Sequence, residues 1–107
     1  MSVQKSNDSE YRDLIANNGK VAIKFYADWC GSCKLISPKF RRLSEAEENQ
    51  DIVFLDVNAE ENPEIRKWAG VNNLPFFAMV NGGAILTADF TSKIENIEKM
   101  LNQLKEA

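Results

Sequence analysis

The apolar positions of the chain fall into two patterns, continuous runs and stripes at helical spacing. The runs "VAIKFYA" (21–27) and "DIVFLDV" (51–57) are apolar on nearly every residue, which is typical of strands buried on both faces of a sheet. A later pair of runs, "LPFFAMV" and "AILTADF", flanks Asn81-Gly82. This dipeptide between two apolar runs predicts a β-hairpin.

Four helices are predicted, one before the first run, one after it, one before the hairpin and one at the end of the chain. Three of them show apolar residues at helical spacing, which are Tyr11, Leu14 and Ile15; Ile36, Phe40 and Leu43; and Ile94, Ile97, Leu101 and Leu104. The helix before the hairpin, "NPEIRKWAG", is marked by Pro63 in its first turn and Gly70 as its stop. The predicted N-terminal caps are Asn7 or Asp8, Asn62, and Ser92 with Glu95 as a capping box. Pro38 lies inside the second helix and is expected to kink it.

The order of these elements predicts an α/β fold. A strand–helix–strand unit implies a right-handed crossover between two parallel strands, and the C-terminal hairpin adds antiparallel strands. The result is a mixed central sheet with helices on both faces. With no repeat, linker or low-complexity segment, residues 1–107 are interpreted as a single domain.

Composition and charge narrow the function classes. A net charge of −3 without a long basic run argues against nucleic acid as the main partner. The apolar stretches are too short to span a bilayer, so we expect no membrane partner. The first residues, "MSVQKSNDSEYRD", lack the apolar core of a signal peptide, and we expect a cytoplasmic protein.

The candidate chemistry lies in Cys30 and Cys33, the two cysteines of a chain that contains no histidine. They follow the first apolar run directly and precede a predicted helix. The first cysteine of such a pair lies at the helix N-terminus, where free amides and the helix dipole favour a thiolate. Cys30 is then the attacking group, and Cys33, about one turn further on and more buried, resolves the mixed disulfide.

Three other interpretations of the pair are less favourable. Two inert core cysteines are disfavoured because "WCGSCK" is polar and contains glycine. A structural zinc ion needs four ligands, and two thiols without histidine supply only half of them. A dimer that shares a zinc ion or an iron–sulfur cluster through these thiols is the remaining alternative, and we expect no metal.

Several motifs together resemble the thioredoxin family. "WCGSCK" resembles the family's active-site motif Trp-Cys-Gly-Pro-Cys-Lys, "NNLPF" the loop that carries its cis-proline, and "NGG" its hairpin turn. Pro38 falls where the family also has a kinking proline. The resemblance runs through nearly the whole chain at the family's spacing.

The resemblance implies a dithiol–disulfide oxidoreductase, here a protein-disulfide reductase with no bound cofactor. Cys30 and Cys33 would be catalytic, and the electrons would come from a thioredoxin reductase. Trp29 would be a contact surface, and Gly31 would keep the backbone accessible. Leu74 and cis-Pro75 would lie in the loop that presents backbone groups to the disulfide-containing target protein. We also expect a monomer.

Lys24 departs from the family pattern, which usually has a buried aspartate at this position as proton acceptor for the resolving cysteine. A charged Lys24 would favour thiolates, and a neutral one could itself accept a proton. Alternatively, it reaches solvent or pairs with a nearby carboxylate. Phe54 is aligned with the family's partner lysine on the neighbouring strand, so the buried acid–base pair is expected to be absent.

Further departures concern the dithiol and the target groove. Ser32 replaces the family's proline between the cysteines; its N–H and hydroxyl should stabilise a thiolate and make the disulfide more oxidising. Phe76 replaces a common threonine, and Phe90 a common glycine. Two alternative functions therefore stay open, a disulfide donor or isomerase with a raised reduction potential, and a protein-binding module with slow turnover.

Overall fold

The computed structural model describes residues 3–107, and in this part of the chain helices cover both faces of a five-stranded sheet. The strands are β1 (Gln4–Lys5), β2 (Lys20–Tyr26), β3 (Val53–Asn58), β4 (Phe76–Asn81) and β5 (Ala84–Phe90). The helices are α1 (Tyr11–Asn17), α2 (Gly31–Glu45), α3 (Pro63–Ala69) and α4 (Ile94–Glu106), with a short 3-10 turn at Glu47–Asn49. The predicted α/β class is confirmed.

The sheet has the strand order β1-β3-β2-β4-β5. β2 is parallel to β3 and antiparallel to β4, and β4 and β5 form the predicted hairpin. β1 is an addition to the prediction; it pairs in parallel with Leu55 and Asp56 of β3. Its two residues, Gln4 and Lys5, are exposed, so no apolar pattern marked them as a strand.

The core lies in two layers on opposite faces of the sheet. α1 and α3 pack on one face through Tyr11, Ile15 and Ile65, and α2 and α4 cover the other. Phe76 and Phe77 are neighbours in β4 and point into different layers, as successive strand residues must. No helix within 3–107 is both long enough and apolar enough to cross a bilayer.

Two residues predicted as helix caps direct their side chains to distant segments of the chain. Asp8 does not cap α1; its carboxylate accepts the N–H groups of Glu64 and Ile65 at 3.0 and 2.8 Å, in the first turn of α3. Asn62 occupies the predicted N-cap position of α3, but its side chain forms no cap bond there and accepts the N–H of Asp8 at 2.9 Å. The two residues thus tie the N-terminal segment to α3, a contact between distant parts of the chain that local spacing does not reveal.

The predicted cap of α4 and the predicted hairpin turn also need correction. Ser92 and Glu95 form no capping box; α4 begins after Lys93, whose N–H is bonded to the hydroxyl of Thr91 at 3.1 Å. The hairpin turn is formed by Gly82 and Gly83, both with positive φ (60° and 86°), rather than by the predicted dipeptide. Consecutive residues of positive φ match a type I′ turn, in which glycine is favoured.

Replacing Asp8 with alanine should lower the free energy of unfolding by about 1–2 kcal/mol, because the first turn of α3 loses its cap. Urea denaturation measures the change. Asp13→Ala is the matched control, since Asp13 is exposed in the first turn of α1. Equal losses in the two variants would contradict the capping role of Asp8.

Candidate active site

The two cysteines lie where the central strand of the sheet leads into α2. Cys30 is the N-cap of α2, and its sulfur accepts the N–H of Cys33 at 3.2 Å. The two residues form a disulfide, with their Cα atoms 5.3 Å apart. In this oxidised state both are buried, with exposed fractions of 4% and 2%. Cys33 is therefore only slightly more buried than Cys30, whereas the sequence analysis predicts a clear difference.

Ser32 and Gly31, the two residues between the cysteines, are both exposed on the first turn of α2. The hydroxyl of Ser32 lies 3.7 Å from the sulfur of Cys30, so the departure from the family motif places a polar group beside that sulfur. A Cβ added at Gly31 would meet no atom within 4 Å. Nothing inside the described chain therefore requires glycine there.

The loop before β4 approaches the disulfide from another side. The Leu74–Pro75 peptide bond is cis, as the resemblance implies. Leu74 is half-buried and packs on the cluster formed by Ala27 and the two cysteines. The carbonyl of Pro75 accepts the N–H of Thr91 at 3.2 Å, which ties this loop to the end of β5. Phe90, the last residue of β5, is 42% exposed.

Trp29 is the exposed aromatic residue beside the dithiol, with 68% of its surface accessible. Its indole N–H donates to the carboxylate of Glu60 at 2.7 Å. The sequence analysis missed Glu60, which lies after β3. Because β2 and β3 are parallel neighbours, the loops after them meet at one edge of the sheet, and that topology is the signal that could have identified it.

Lys24 lies in the middle of β2 and is only 2% exposed. Its ammonium group is 3.1 Å from Oδ1 of Asp56 and donates a hydrogen bond to the hydroxyl of Ser37. The rings of Tyr26 and Phe40 lie 5.6 and 5.7 Å from it, a distance at which aromatic faces stabilise cations. Lys24 thus does not reach solvent; it pairs with a carboxylate.

The expectation that the buried acid–base pair is absent was wrong. Phe54 is opposite Ala22 in the β2–β3 register, and the residue opposite Lys24 is Asp56. The error was one of strand register, since a shift of two residues keeps a side chain on the same face and leaves the pattern unchanged. The pair is therefore present, with its acid and base in the reverse order to the one that the resemblance implies.

Ser37 links this ion pair to the dithiol. Its hydroxyl receives the hydrogen bond from Lys24 and donates to the carbonyl of Cys33 at 2.9 Å. A cleft of about 230 Å³ adjoins the group and is lined by Lys24, Asp56, Asp28 and Cys33 among others. Oδ1 of Asp56 is buried and has no hydrogen-bond partner within 3–107, so its contact with Lys24 is an ion pair, not an aligned hydrogen bond.

Other ligands for a metal do not converge on this site. Within the described residues, no three side chains of the His, Cys, Asp and Glu types are grouped so that they could hold an ion. Both sulfurs are joined in the disulfide. The chemistry that the arrangement supports is thiol–disulfide exchange, because a sulfur at a helix N-terminus has a second sulfur within bonding distance.

Comparison with known proteins supports the same chemistry. The thioredoxin family model matches residues 2–106. The chain belongs to the thioredoxin family. Thioredoxin-T of Drosophila melanogaster is 34% identical over 94% of this chain, which spans 64% of that protein. The mitochondrial thioredoxin-3 of Saccharomyces cerevisiae is 32% identical over 92% of this chain and 76% of its own length.

Solved thioredoxin structures agree with the fold. The oxidised mitochondrial thioredoxin 3 of Saccharomyces cerevisiae has a TM-score of 0.85 and 31% identity, over 98% of this chain and 95% of that one. Spinach chloroplast thioredoxin F has a TM-score of 0.90 at 20% identity, over 97% and 94% of the two chains, which shows the fold alone. Thioredoxin membership and the Cys30–Cys33 pair together identify a dithiol thiol–disulfide oxidoreductase.

Lys24→Met should lower the free energy of unfolding of the oxidised protein by about 2 kcal/mol, because it leaves the Asp56 carboxylate without its cation. The loss falls below that of a fully buried pair since the Asp56 side chain is 23% exposed. The double variant Lys24→Met/Asp56→Leu should recover most of the loss, because removing both charges leaves no unpaired group. Urea denaturation measures all three proteins.

The control for this experiment is Arg12→Met, which breaks an ion pair with Glu64 whose side chains are 73% and 43% exposed. Exposed pairs contribute little, so its change should stay within about 0.5 kcal/mol. A Lys24→Met variant as stable as the wild-type protein would contradict the expected contribution of the buried pair to the free energy of unfolding. So would a double variant less stable than the single one.

Proposed function

We propose that this thioredoxin-family chain reduces protein disulfides, with Cys30 as the nucleophile and Cys33 as the resolving thiol. The observation that supports this assignment is the position of Cys30 as the N-cap of α2, where its sulfur accepts the N–H of Cys33. Amide N–H groups and the helix dipole stabilise negative charge at this end of a helix. Reduced Cys30 is therefore the thiolate that attacks.

The reaction proceeds in two exchanges. The thiolate of Cys30 attacks one sulfur of the target disulfide, forms a mixed disulfide and releases the other target sulfur as a thiolate, which takes up a proton. Cys33, as a thiolate, then attacks the sulfur of Cys30 and releases the second target thiol. The target gains two electrons, and the chain ends with the Cys30–Cys33 disulfide that the structure contains.

The proposed target-binding surface consists of Trp29, Gly31, Leu74 and Pro75. Trp29 offers an exposed ring that is fixed by Glu60, and Leu74 offers an apolar side chain that packs on the dithiol cluster. The open space around Gly31 leaves the helix N-terminus free for the target backbone. The exposed ring of Phe90 borders this surface, because Thr91 beside it is bonded to Pro75.

We assign Lys24 and Asp56 jointly to the ionisation of Cys33. The ammonium group lines the same cleft as Cys33 and is linked through Ser37 to the backbone carbonyl of that residue; its positive charge favours a thiolate at Cys33. The carboxylate of Asp56 lines the same cleft as Cys33 and has an oxygen without a hydrogen-bond partner among the described residues. In this assignment the proton of Cys33 passes towards the neighbouring strand, not to the strand that precedes the dithiol.

The proposed electron donor is a thioredoxin reductase, and the proposed targets are disulfide-containing proteins. No bound cofactor enters the mechanism, because both electrons are held by the dithiol. One solved relative, at 31% identity, is described in a study of thiol resolution in a yeast mitochondrial 1-Cys peroxiredoxin. The cytoplasmic location and the monomeric state stay predictions, and named relatives include mitochondrial and chloroplastic proteins.

Cysteine variants test the proposed reaction with a disulfide-bonded protein such as insulin. Cys30→Ser should abolish reduction, because the nucleophile is lost. Cys33→Ser should release no product and should accumulate a mixed disulfide, seen by mass spectrometry, because nothing resolves the first intermediate. A Cys33→Ser protein that turns over at the wild-type rate would contradict the assignment, as would a Cys30→Ser protein that still reduces the target.

The direction of electron flow is tested by the reduction potential of the Cys30–Cys33 couple in a glutathione buffer. A value of about −270 mV is typical of thioredoxin, whereas about −180 to −120 mV is found in isomerases and disulfide donors. One observation favours the second candidate, a disulfide donor. The hydroxyl of Ser32 lies 3.7 Å from the Cys30 sulfur, where it stabilises the reduced thiolate.

Ser32→Pro should make the potential more negative by about 30–65 mV, the equivalent of one hydrogen bond to the charged thiolate. Ser32→Ala separates the two contributions, because it removes the hydroxyl but keeps the N–H group. Redox titration of the three proteins against glutathione measures the potentials. An unchanged or less negative potential in both variants would refute the role of Ser32.

A further inference from the structure

Positive charge is concentrated on α2, the helix that begins at the dithiol. Its charged residues are Lys34, Lys39, Arg41, Arg42 and Glu45. The helix thus carries a net charge of +3, whereas the whole chain carries −3, so that the remaining residues carry −6. The excess of positive charge thus lies on α2, the helix that has the proposed nucleophile, Cys30, at its N-terminus.

The basic side chains of α2 form no ion pair in the part of the chain that the structure describes, and Glu98 of α4 lines a cleft together with Lys39 and Arg42. Within residues 3–107 the structure forms two ion pairs, Arg12–Glu64 and Lys24–Asp56, and neither uses a side chain of α2. The four basic side chains of the helix are all exposed. The opposite side of the helix packs into the core, where Cys33, Ile36 and Phe40 are buried. The positive potential of α2 is therefore directed to solvent.

The basic residues share their side of the helix with an exposed apolar one. Leu35 is 77% exposed, and Lys39 and Arg42 follow it at spacings of four and three residues, which places the three side chains in one row. With Gly31 at the start, this row extends about 16 Å from the dithiol along the helix. Lys34 and Arg41, seven residues apart, lie on a second line, about 100° around the helix axis from the row.

Charge changes sign across the nucleophile. On the other side of Cys30 in the chain, Asp28 is exposed and Trp29 is bonded to Glu60. A partner that covers the dithiol therefore meets negative charge at the Trp29 end and positive charge along α2. Such a polarity distinguishes partners by their own charge and orients them before contact.

We propose that Leu35, Lys39 and Arg42 form a docking surface for target proteins that carry acidic residues next to their disulfide, and that Lys34 and Arg41 add to its positive field. The inference rests on the proposed reductase function, because the docked disulfide must reach Cys30. Acidic side chains of the target contact the basic row, Leu35 provides an apolar contact, and the disulfide lies over the helix N-terminus.

The test uses three synthetic peptides that each contain one internal disulfide and differ only in the flanking residues, which are glutamate, glutamine or lysine. Dithiothreitol-reduced protein, freed of the reductant, is mixed with each peptide, and the second-order rate constant is followed by chromatography after acid quenching. The wild-type protein should reduce the glutamate peptide about tenfold faster than the lysine peptide at about 0.1 M salt. At about 1 M salt the ratio should approach one, because charges are screened beyond about 3 Å.

The decisive variant is Lys39→Glu/Arg42→Glu, which leaves Lys34 in place because that residue adjoins Cys33. It should lose or invert the preference for the glutamate peptide, while its rate constant for the glutamine peptide changes less than about twofold. The matched control is Arg66→Glu/Lys67→Glu on α3. It makes the same change in net charge, also near a helix C-terminus, but on the opposite face of the sheet, and it should keep the preference.

The possible outcomes separate this inference from the function on which it rests. If the wild-type protein reduces none of the peptides, the proposed reductase function fails. If it reduces all three at equal rates, the reductase function stands and the docking surface is refuted. The docking surface is likewise refuted if the α3 control loses the preference as fully as the α2 variant, because net charge alone would then explain it.

Discussion

β2 is hydrogen-bonded to β3 on one side and to β4 on the other, and helices cover both of its faces. Val21, Ile23 and Phe25 are fully buried in this position, and each apolar side chain of this size stabilises the fold by about 1.5–3 kcal/mol. The strand ends directly before Cys30. The dithiol therefore lies at the end of a fully buried strand, where that strand leads into α2.

The same burial constrains the charge that β2 contains. An ammonium group in the middle of a doubly covered strand is stable only with a partner, because desolvation of an isolated ion costs several kcal/mol. β3 supplies that partner at the register position opposite Lys24. A hydroxyl of α2 and two aromatic rings complete the surroundings. A requirement of stability thus places an acid and a base in the cleft that Cys33 lines.

On the solvent-exposed side of the dithiol, charged groups need no buried partner, because water solvates them. Three elements meet there: the start of α2, the loop that ends at cis-Pro75 and the loop that contains Glu60. Exposed apolar side chains, Trp29 and Leu35, lie among charges of opposite sign. Isolated exposed apolar residues are ordinary, but their position beside a reactive disulfide makes this surface suited to contact with other proteins.

Local sequence determined much of this protein: the buried strands, the helices, the hairpin and the cysteine pair at a helix N-terminus. These features depend on residues close together in the chain, whose spacing directly sets which face is apolar. The polar partnerships were decided by tertiary structure. Asp8 caps a helix more than fifty residues away, Glu60 holds Trp29, and Asp56 pairs with Lys24. Each joins segments that only the strand order brings together, and apolar periodicity carries no information about strand register between distant segments.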